Sequence, residues 1–224
     1  MSIKPPATIR SALKTALLKP PFNLIFKHTA GLGTILMYHR ISAKPSAQFH
    51  PNNFLEVDTA TFEKQLCFLK EHCLCLPLGE IVDRLSRGTL PPGTAAITFD
   101  DGYRDNLELA LPLLSKYQLP ATIYATTNFL DGSASPWWHE LEHILEHLPA
   151  LEFTQHNQTF RFELTTPSEK IRAFEKIGSL IKSLRLAERE GLMRNIRNFC
   201  SLNFDSSALM LSWPELERLS RSPL

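Results

Sequence analysis

The chain has 224 residues, of which 43% are hydrophobic and 21% charged. This composition predicts one globular domain or a small two-domain protein and excludes the fibrous, collagen-like and disordered classes. The formal net charge of +1 supplies no strong field for attracting phosphate backbones or anionic lipids, so we expect no nucleic acid as a partner. No window approaches the roughly 18 uncharged apolar residues of a membrane-spanning helix, so we expect no transmembrane segment.

The first half of the sequence alternates short apolar runs with helical patterns. Residues 1–30 carry four prolines among short Lys-bearing apolar pieces, which predicts an extension on the protein surface. A helix capped by Thr61, a second helix that ends at Gly88 and a third over residues 106–117 follow in that order. Strands are predicted before, between and after these helices, at residues 35–38, 74–78, 94–99 and 121–126.

This alternation is the pattern of an α/β protein built from βαβ units. Polar residues follow the strands, His39 after the first and Asp100 after the third, and such folds have their sites at the carboxyl ends of strands. About four parallel strands are fewer than the roughly eight that close a barrel. We therefore expect a partial barrel that leaves a sheet edge or an apolar interior exposed.

The second half departs from the alternation. Trp137 begins a predicted helix that extends to His147. Phenylalanines on both sides of a polar turn then predict a β-hairpin. Capping boxes predict the starts of two further helices, at Thr166 with Glu169 and at Ser212 with Glu215.

Two adjacent carboxylates, Asp100 and Asp101, follow the third predicted strand, and Gly102 allows the chain to turn sharply after them. At such a turn both carboxylates can reach one cleft, where their repulsion favours a cation beside them. One carboxylate can then bind a metal ion while the other accepts a proton from an attacking water. The alternative is structural, because Asp100, Asp101 or Asp105 would equally cap the following helix.

A second candidate site is the H-E-x-x-H segment formed by His139, Glu140 and His143, whose spacing is that of helical zinc peptidases. The apolar residues around it already account for an amphipathic helix, so we interpret its polar side chains as a solvent-exposed face. A zinc peptidase remains an alternative hypothesis. His50 has no metal-ligating neighbour at a useful spacing, and we interpret the Trp137–Trp138 pair as an anchor of the core rather than a platform for a sugar ring.

The run over residues 98–106, Thr-Phe-Asp-Asp-Gly-Tyr-Arg-Asp-Asn, resembles the first motif of the polysaccharide deacetylase family, also called the NodB-homology domain. Residues 36–40 resemble the first strand of the family members that act on bacterial exopolysaccharides. Residues 119–122 and the later tryptophan pair resemble further segments in the expected order. The likeness covers about residues 33–220 and implies a partial, deformed (β/α) barrel of the polysaccharide deacetylase type.

The resemblance implies a hydrolase that removes N-acetyl groups from an acetylated polysaccharide or oligosaccharide with a divalent metal, usually zinc. It implies Asp100 as the general base, Asp101 as the metal ligand and His39 as the general acid that protonates the departing amine. The family's two metal-binding histidines, in an H-x-x-x-H segment, are expected after the helix that begins at Trp213, where the sequence ends. The alternative is therefore a truncated, metal-deficient and inactive relative.

These patterns predict a surface extension over residues 1–30 and a deacetylase-like domain over 31–224 that is incomplete at its C-terminus. The helices and the hairpin over about 136–205 are predicted to form an insertion. Four cysteines without a C-x-x-C pair, and the lack of a signal-like apolar run, predict a location in the cytoplasm or at the periphery of the inner membrane. An acetylated glycan is the expected partner.

Overall fold

The computed structural model describes residues 33–43, 48–200 and 202–222, so the extension predicted over residues 1–30 lies outside the described part of the chain. No helix among those described is long and apolar enough to cross a membrane. The strands are β1 (Gly33–Tyr38), β2 (Arg40–Ser42), β3 (Glu56–Asp58), β4 (Leu74–Cys75), β5 (Thr94–Asp101), β6 (Ala121–Ala125), β7 (Ala150–Gln155) and β8 (Gln158–Glu163). The helices are α1 (Thr59–His72), α2 (Leu78–Ser86), α3 (Leu111–Tyr117), α4 (Thr127–Leu130), α5 (Trp137–His147), α6 (Pro167–Ser183), α7 (Leu186–Phe199) and α8 (Trp213–Ser220).

Strand β5 is the centre of a four-stranded parallel sheet. Strand β1 pairs along one edge of β5, from Gly33 opposite Thr94 to Tyr38 opposite Phe99. Strands β4 and β6 share the other edge, β4 at the start of β5 and β6 at its end. The side chains of β5 are buried from Thr94 to Phe99, as is usual for the central strand of a parallel sheet. The predicted α/β class is confirmed.

One face of this sheet packs against α1 and α3. Three aromatic rings in mutual contact join the sheet to α1. Phe99, the last core residue of β5, lies 5.5 Å from the ring of Tyr38 and 5.9 Å from that of Phe62. The rings of Tyr38 and Phe62 meet edge to face at 5.2 Å, an arrangement that adds to the stabilisation by burial alone. Since Asp100 follows Phe99 directly, this core fixes where the two acidic residues begin.

The opposite face of the sheet is only partly covered in the described part of the chain, where Ala96 is buried with Ile81 of α2 and Leu90. Ile35, Met37 and Tyr124 are more than half exposed. They stand opposite residues 96, 98 and 100 of β5, so they share one face of the pleated sheet with Asp100. The expected exposure of apolar side chains on an incomplete barrel therefore has a counterpart in the structure.

The second half of the chain has a core of its own. The predicted hairpin is confirmed as the antiparallel pair β7–β8, whose turn residues His156 and Asn157 both have positive φ. The hairpin packs with α5, α6 and α7 around a cluster that includes Leu141, Ile177 and Ile196. The capping boxes at the starts of α6 and α8 are also present, as predicted.

Two predicted boundaries are wrong. The strand predicted over residues 74–78 is limited to Leu74–Cys75, because Pro77 has no N–H to continue the ladder and instead precedes α2. Helix α1 begins at Thr59, and its cap is Asp58, whose carboxylate accepts a hydrogen bond from the Thr61 N–H at 2.9 Å. Thr61 therefore lies inside the first turn. The predicted helix over residues 106–117 begins with a π-helical turn, Asn106–Ala110.

We expect substitution of Phe62 by Ala to lower the free energy of unfolding by about 3–5 kcal/mol, because it leaves a cavity among Tyr38, Phe99 and the sheet. Phe68→Ala on the same helix is the matched control. Phe62 is 0% exposed and Phe68 is 58% exposed, so the control change should stay below about 1 kcal/mol. Urea unfolding of both variants measures the difference, and equal losses would contradict this description of the core.

Candidate active site

The two acidic residues lie where β5 ends and the chain turns back. Asp100 and Asp101 are still paired with β6, opposite Tyr124 and Ala125. Asp101 has φ of 71° and Gly102 has φ of 83°, so the turn uses two successive residues in the left-handed region. Aspartate tolerates this conformation better than most residues, and such backbone strain clusters at functional sites.

Gly102 is required by its surroundings as well as by its conformation. A Cβ atom at this position would lie 3.2 Å from the Cβ and 3.3 Å from the Cα of Ala125. On its other side the chain contacts the segment before α8, where the Leu211 N–H donates to the Gly102 carbonyl at 2.9 Å. The turn after Asp101 is therefore held between β6 and this segment.

His39, which follows β1, lies beside the acidic pair. Its Nε2 is 4.0 Å from Oδ2 of Asp100. The position of its main chain is fixed by the π-helical turn after β5, since the Asn106 side-chain amide donates to the His39 carbonyl at 3.0 Å. The parallel pairing of β1 with β5 thus brings together the three residues predicted from the sequence.

The site opens into a cavity of about 350 Å³. Asp101 and His39 lie on its wall, and the Asp100 side chain is 33% exposed beside them. Neither carboxylate accepts a hydrogen bond from a main-chain donor within the described ranges. The remaining wall is formed by Asn52, Phe54, Leu55, Trp137, Trp138, Phe174, Lys182 and Arg189.

The competing interpretation of the acidic residues as helix caps is wrong. Asp105 precedes the turn at Asn106 but makes no side-chain cap bond there. Its carboxylate instead accepts hydrogen bonds from Arg40 Nε at 2.9 Å and from the Ile41 N–H at 3.1 Å. The third aspartate of the motif therefore joins the motif loop to β2, and the first two remain directed at the cleft.

Burial raises the pKa of the Asp101 carboxyl above its usual range. His39 acts in the opposite direction and Asp100 adds to the rise. The ionised form of Asp101 is therefore costly unless positive charge approaches it. This electrostatic arrangement favours a cation or a proton at Asp101.

Arg40, which sequence analysis did not single out, connects three elements behind the site. Its guanidinium donates to Asp105 and also to Glu56 at 2.7 Å, and it lies 5.3 Å over the centre of the Tyr103 ring. All these side chains are largely buried. The signal was present in the sequence, since Arg40 follows His39 and Asp105 belongs to the nine-residue motif, but their pairing depends on tertiary structure.

The interpretation of the H-E-x-x-H segment as a solvent-exposed face is wrong for its first two residues. His139 is buried and its Nε2 lies 3.1 Å from the Tyr103 hydroxyl. Glu140 is buried and pairs with Arg197 of α7. Burial lowers the pKa of His139. The three residues do not face one ion, so the segment belongs to the structural support of the site.

His50 is likewise more than an isolated histidine. Its Nδ1 lies 2.8 Å from Glu142 of α5, and its Nε2 lies 3.2 Å from Glu56 of β3. Asn52 donates from Nδ2 to the same Glu142 carboxylate at 2.7 Å, while its buried Oδ1 has no partner within the described ranges. These contacts tie the loop before β3 to α5 across 92 positions of the sequence.

The interpretation of the tryptophan pair as an anchor of the core is confirmed. Trp137 and Trp138 pack on the second core, and both also line the cavity that holds Asp101. Trp138 donates from Nε1 to the Tyr103 hydroxyl at 2.9 Å, which fixes its ring. Trp137 is thus the less constrained of the two aromatic surfaces facing the cavity.

The donors available for a metal ion are the carboxylates of Asp100 and Asp101 and the imidazole of His39. Within the described ranges, no group of three or more His, Cys, Asp or Glu side chains has a geometry that could hold a metal ion. A catalytic zinc site usually has three protein ligands. The described residues therefore provide part of such a site rather than a complete one.

Residues 87–174 match the sequence profile of the family described as polysaccharide deacetylase. A poly-beta-1,6-N-acetyl-D-glucosamine N-deacetylase of Staphylococcus aureus (strain MRSA252) is 26% identical over 211 residues, which cover 87% of this chain and 68% of that protein. A putative polysaccharide deacetylase of Bacillus subtilis (strain 168), YxkH, is 37% identical over 92 residues, 40% of this chain and 30% of that protein.

Solved structures are similar over about half of their length. The Streptococcus pyogenes deacetylase PplD, in complex with acetate, is 33% identical, with a TM-score of 0.40 over 46% of each chain. A de-N-acetylase from Aggregatibacter actinomycetemcomitans is 20% identical, with a TM-score of 0.38 over 65% of this chain and 51% of that one.

We expect Asp105→Ala to lower the free energy of unfolding by about 3 kcal/mol, because it leaves Nε of the largely buried Arg40 and the Ile41 N–H without their acceptor. Asp83→Ala is the control, since Asp83 pairs with Arg87 at 4.0 Å through side chains that are 71% and 74% exposed. That change should stay near about 0.5 kcal/mol. Urea unfolding measures both variants. An unchanged free energy of unfolding in Asp105→Ala would contradict the role of Asp105 in joining the motif loop to β2.

We expect His50 to make stability depend on pH. Burial lowers the pKa of His50, but Glu142 and Glu56 outweigh burial and raise it above the ordinary value. A histidine whose pKa is raised in the folded state stabilises the fold fully below its unfolded pKa, about 6.5. This stabilisation is lost as the pH rises through the pKa of the folded state. The stability advantage of the wild type over His50→Gln should therefore shrink between about pH 6 and pH 8. Parallel pH profiles of the two unfolding free energies would contradict this.

Proposed function

This chain belongs to the polysaccharide deacetylase family, and from that premise we propose that it hydrolyses N-acetyl groups of an acetylated polysaccharide or oligosaccharide. The single observation that supports this most directly is the convergence of three residues, with Asp101 and His39 on the wall of one cavity and Asp100 4.0 Å from His39. The convergence supplies two carboxylates and an imidazole next to a space large enough for a sugar residue.

Asp100 is proposed as the general base. It is partly exposed at the cavity and makes no main-chain contact within the described ranges that would occupy its carboxylate. In the reaction, Asp100 accepts a proton from the water whose oxygen bonds to the acetyl carbon.

His39 is proposed as the general acid. When the bond between the acetyl carbon and the sugar nitrogen breaks, the imidazolium gives its proton to that nitrogen, and acetate and an amine leave. The distance of 4.0 Å between Nε2 of His39 and Oδ2 of Asp100 supports these roles, because an acid and a base this close can act on the same amide.

Asp101 is proposed as a ligand of a divalent metal, zinc by family resemblance. Such an ion would polarise the amide carbonyl and lower the pKa of the attacking water. The raised pKa of Asp101 supports this role, because a cation would relieve the cost of the buried charge. Since the described residues form no complete ligand set, the proton transfers above are derived for the side chains alone.

The second candidate function is glycan binding without turnover. The incomplete ligand set within the described ranges favours it, while Trp137 and Phe54 on the cavity wall would still contact a sugar ring. Calorimetry distinguishes the two candidates. Stoichiometric binding of zinc that Asp101→Asn abolishes supports the hydrolase, whereas glycan binding with no zinc binding supports the second candidate.

We expect Asp100→Asn to reduce the hydrolysis of an N-acetylglucosamine oligomer, with zinc or cobalt added, by about 100-fold or more. His39→Gln should reduce it in the same range, and a chelator should abolish it. Asp83→Asn, on the exposed face of α2, is the control and should leave the rate unchanged. Release of acetate measures all four. Unchanged activity in Asp100→Asn would refute the role of the base.

Asp101→Asn should abolish hydrolysis and yet raise the melting temperature at pH 7. The raised pKa of Asp101 means that its ionised form destabilises the metal-free fold above the ordinary carboxyl pKa, and Asn removes that charge while tolerating positive φ. The difference between the variant and the wild type should vanish below about pH 3.9. A lower melting temperature for the variant at pH 7 would show that Asp101 is structural.

A further inference from the structure

The cavity in front of Asp101 has walls from both halves of the chain. Asp101 and His39 come from the parallel sheet, while Lys182 lies near the end of α6 and Arg189 lies in the first turns of α7. Asp101 therefore lines a space that two cationic side chains also line. This juxtaposition of distant segments is not readable from the spacing of the residues in the sequence.

Neither cation has an acidic partner in the described part of the chain. Arg40, Arg104 and Arg197, by contrast, each lie within ion-pair distance of a glutamate or aspartate. Arg189 is half-buried, and its Nε is shut off from solvent without a hydrogen-bond partner within the described ranges. The positive charge of the Arg189 guanidinium is therefore balanced by no carboxylate within the described ranges, although the residue lines the cavity.

Arg189 is the principal group of the pair. Lys182 is exposed and also lines an adjoining cavity of about 420 Å³, together with Trp137 and Glu175. Arg189 lines the cavity of Asp101 and does not line the adjoining one. A guanidinium binds carboxylates and phosphates through two parallel hydrogen bonds, whereas an ammonium acts as a single charge. Arg189 can therefore orient an anion, and the exposed Lys182 adds electrostatic attraction for the same anion.

We propose that Arg189 and Lys182 form an anion-binding subsite that selects an acetylated glycan carrying an oxyanion, a carboxylate or a phosphate, on or next to the acetylated sugar. The subsite rests on the proposed function, because the same cavity holds the reacting amide. Trp137 and Phe174 line the same cavity and offer aromatic surfaces against which a sugar ring can pack.

Equilibrium binding tests this subsite without requiring turnover. Three oligosaccharides of equal length serve as probes, one built of neutral N-acetylglucosamine, one that alternates N-acetylglucosamine with glucuronate and one that carries a phosphate. Calorimetry on the wild type should give about tenfold tighter binding for at least one anionic probe than for the neutral probe. The anionic probe that binds more tightly shows whether the subsite prefers a carboxylate or a phosphate. Added salt should reduce the preference.

Arg189→Gln should bring the anionic probes to the affinity of the neutral one, and Arg189→Lys should keep part of the preference. Arg194→Gln is the matched control, since Arg194 is an exposed arginine of the same helix outside the cavity wall. Should Arg189→Gln fail to fold, Lys182→Gln, at an exposed position, should still reduce the preference severalfold. Equal binding of all three probes by the wild type, or a preference unchanged in Arg189→Gln or in a folded Lys182→Gln, overturns the subsite.

The outcome separates this subsite from the proposed reaction. A protein that prefers the anionic probes but releases no acetate retains the subsite and loses the hydrolase. A protein that releases acetate equally from neutral and anionic oligomers, and binds them equally, retains the hydrolase and loses the subsite.

Discussion

The carboxylate of Asp101 is partly buried beside that of Asp100, and this proximity of two negative charges is the constraint on which the site depends. Burial alone opposes the ionised form, and the neighbouring charge adds to the cost. The fold nevertheless holds both groups in a turn that only Gly102 can complete, between β6 and the segment before α8. A cation or a proton at Asp101 would relieve this electrostatic cost.

The two cores of the chain meet through polar contacts behind this turn. Tyr103, which follows the acidic motif, is contacted by Arg40 from the strand side and by Trp138 and His139 from α5. Because these groups are buried and mutually hydrogen-bonded, losing one leaves others unsatisfied. The network therefore fixes the orientation of α5, and with it the tryptophans on the cavity wall, relative to the acidic pair.

The two halves of the chain contribute different kinds of side chain to the site. The carboxyl ends of parallel strands present Asp100, Asp101 and His39, the groups suited to proton transfer and cation binding. The helical half contributes aromatic side chains and two cations, Lys182 and Arg189, that have no acidic partner within the described ranges.

The sequence by itself determined the α/β class, the hairpin, the capping boxes and the three residues of the acidic site, because periodicity, turn chemistry and a nine-residue motif are local signals. It did not reveal that Asp105 clamps Arg40, that His139 and Glu140 are buried, or that Arg189 faces Asp101. Each of these depends on which segments pack together. Only the tertiary structure decides that, since burial and partners separated by tens of residues are properties of the packed chain and leave no mark on local spacing.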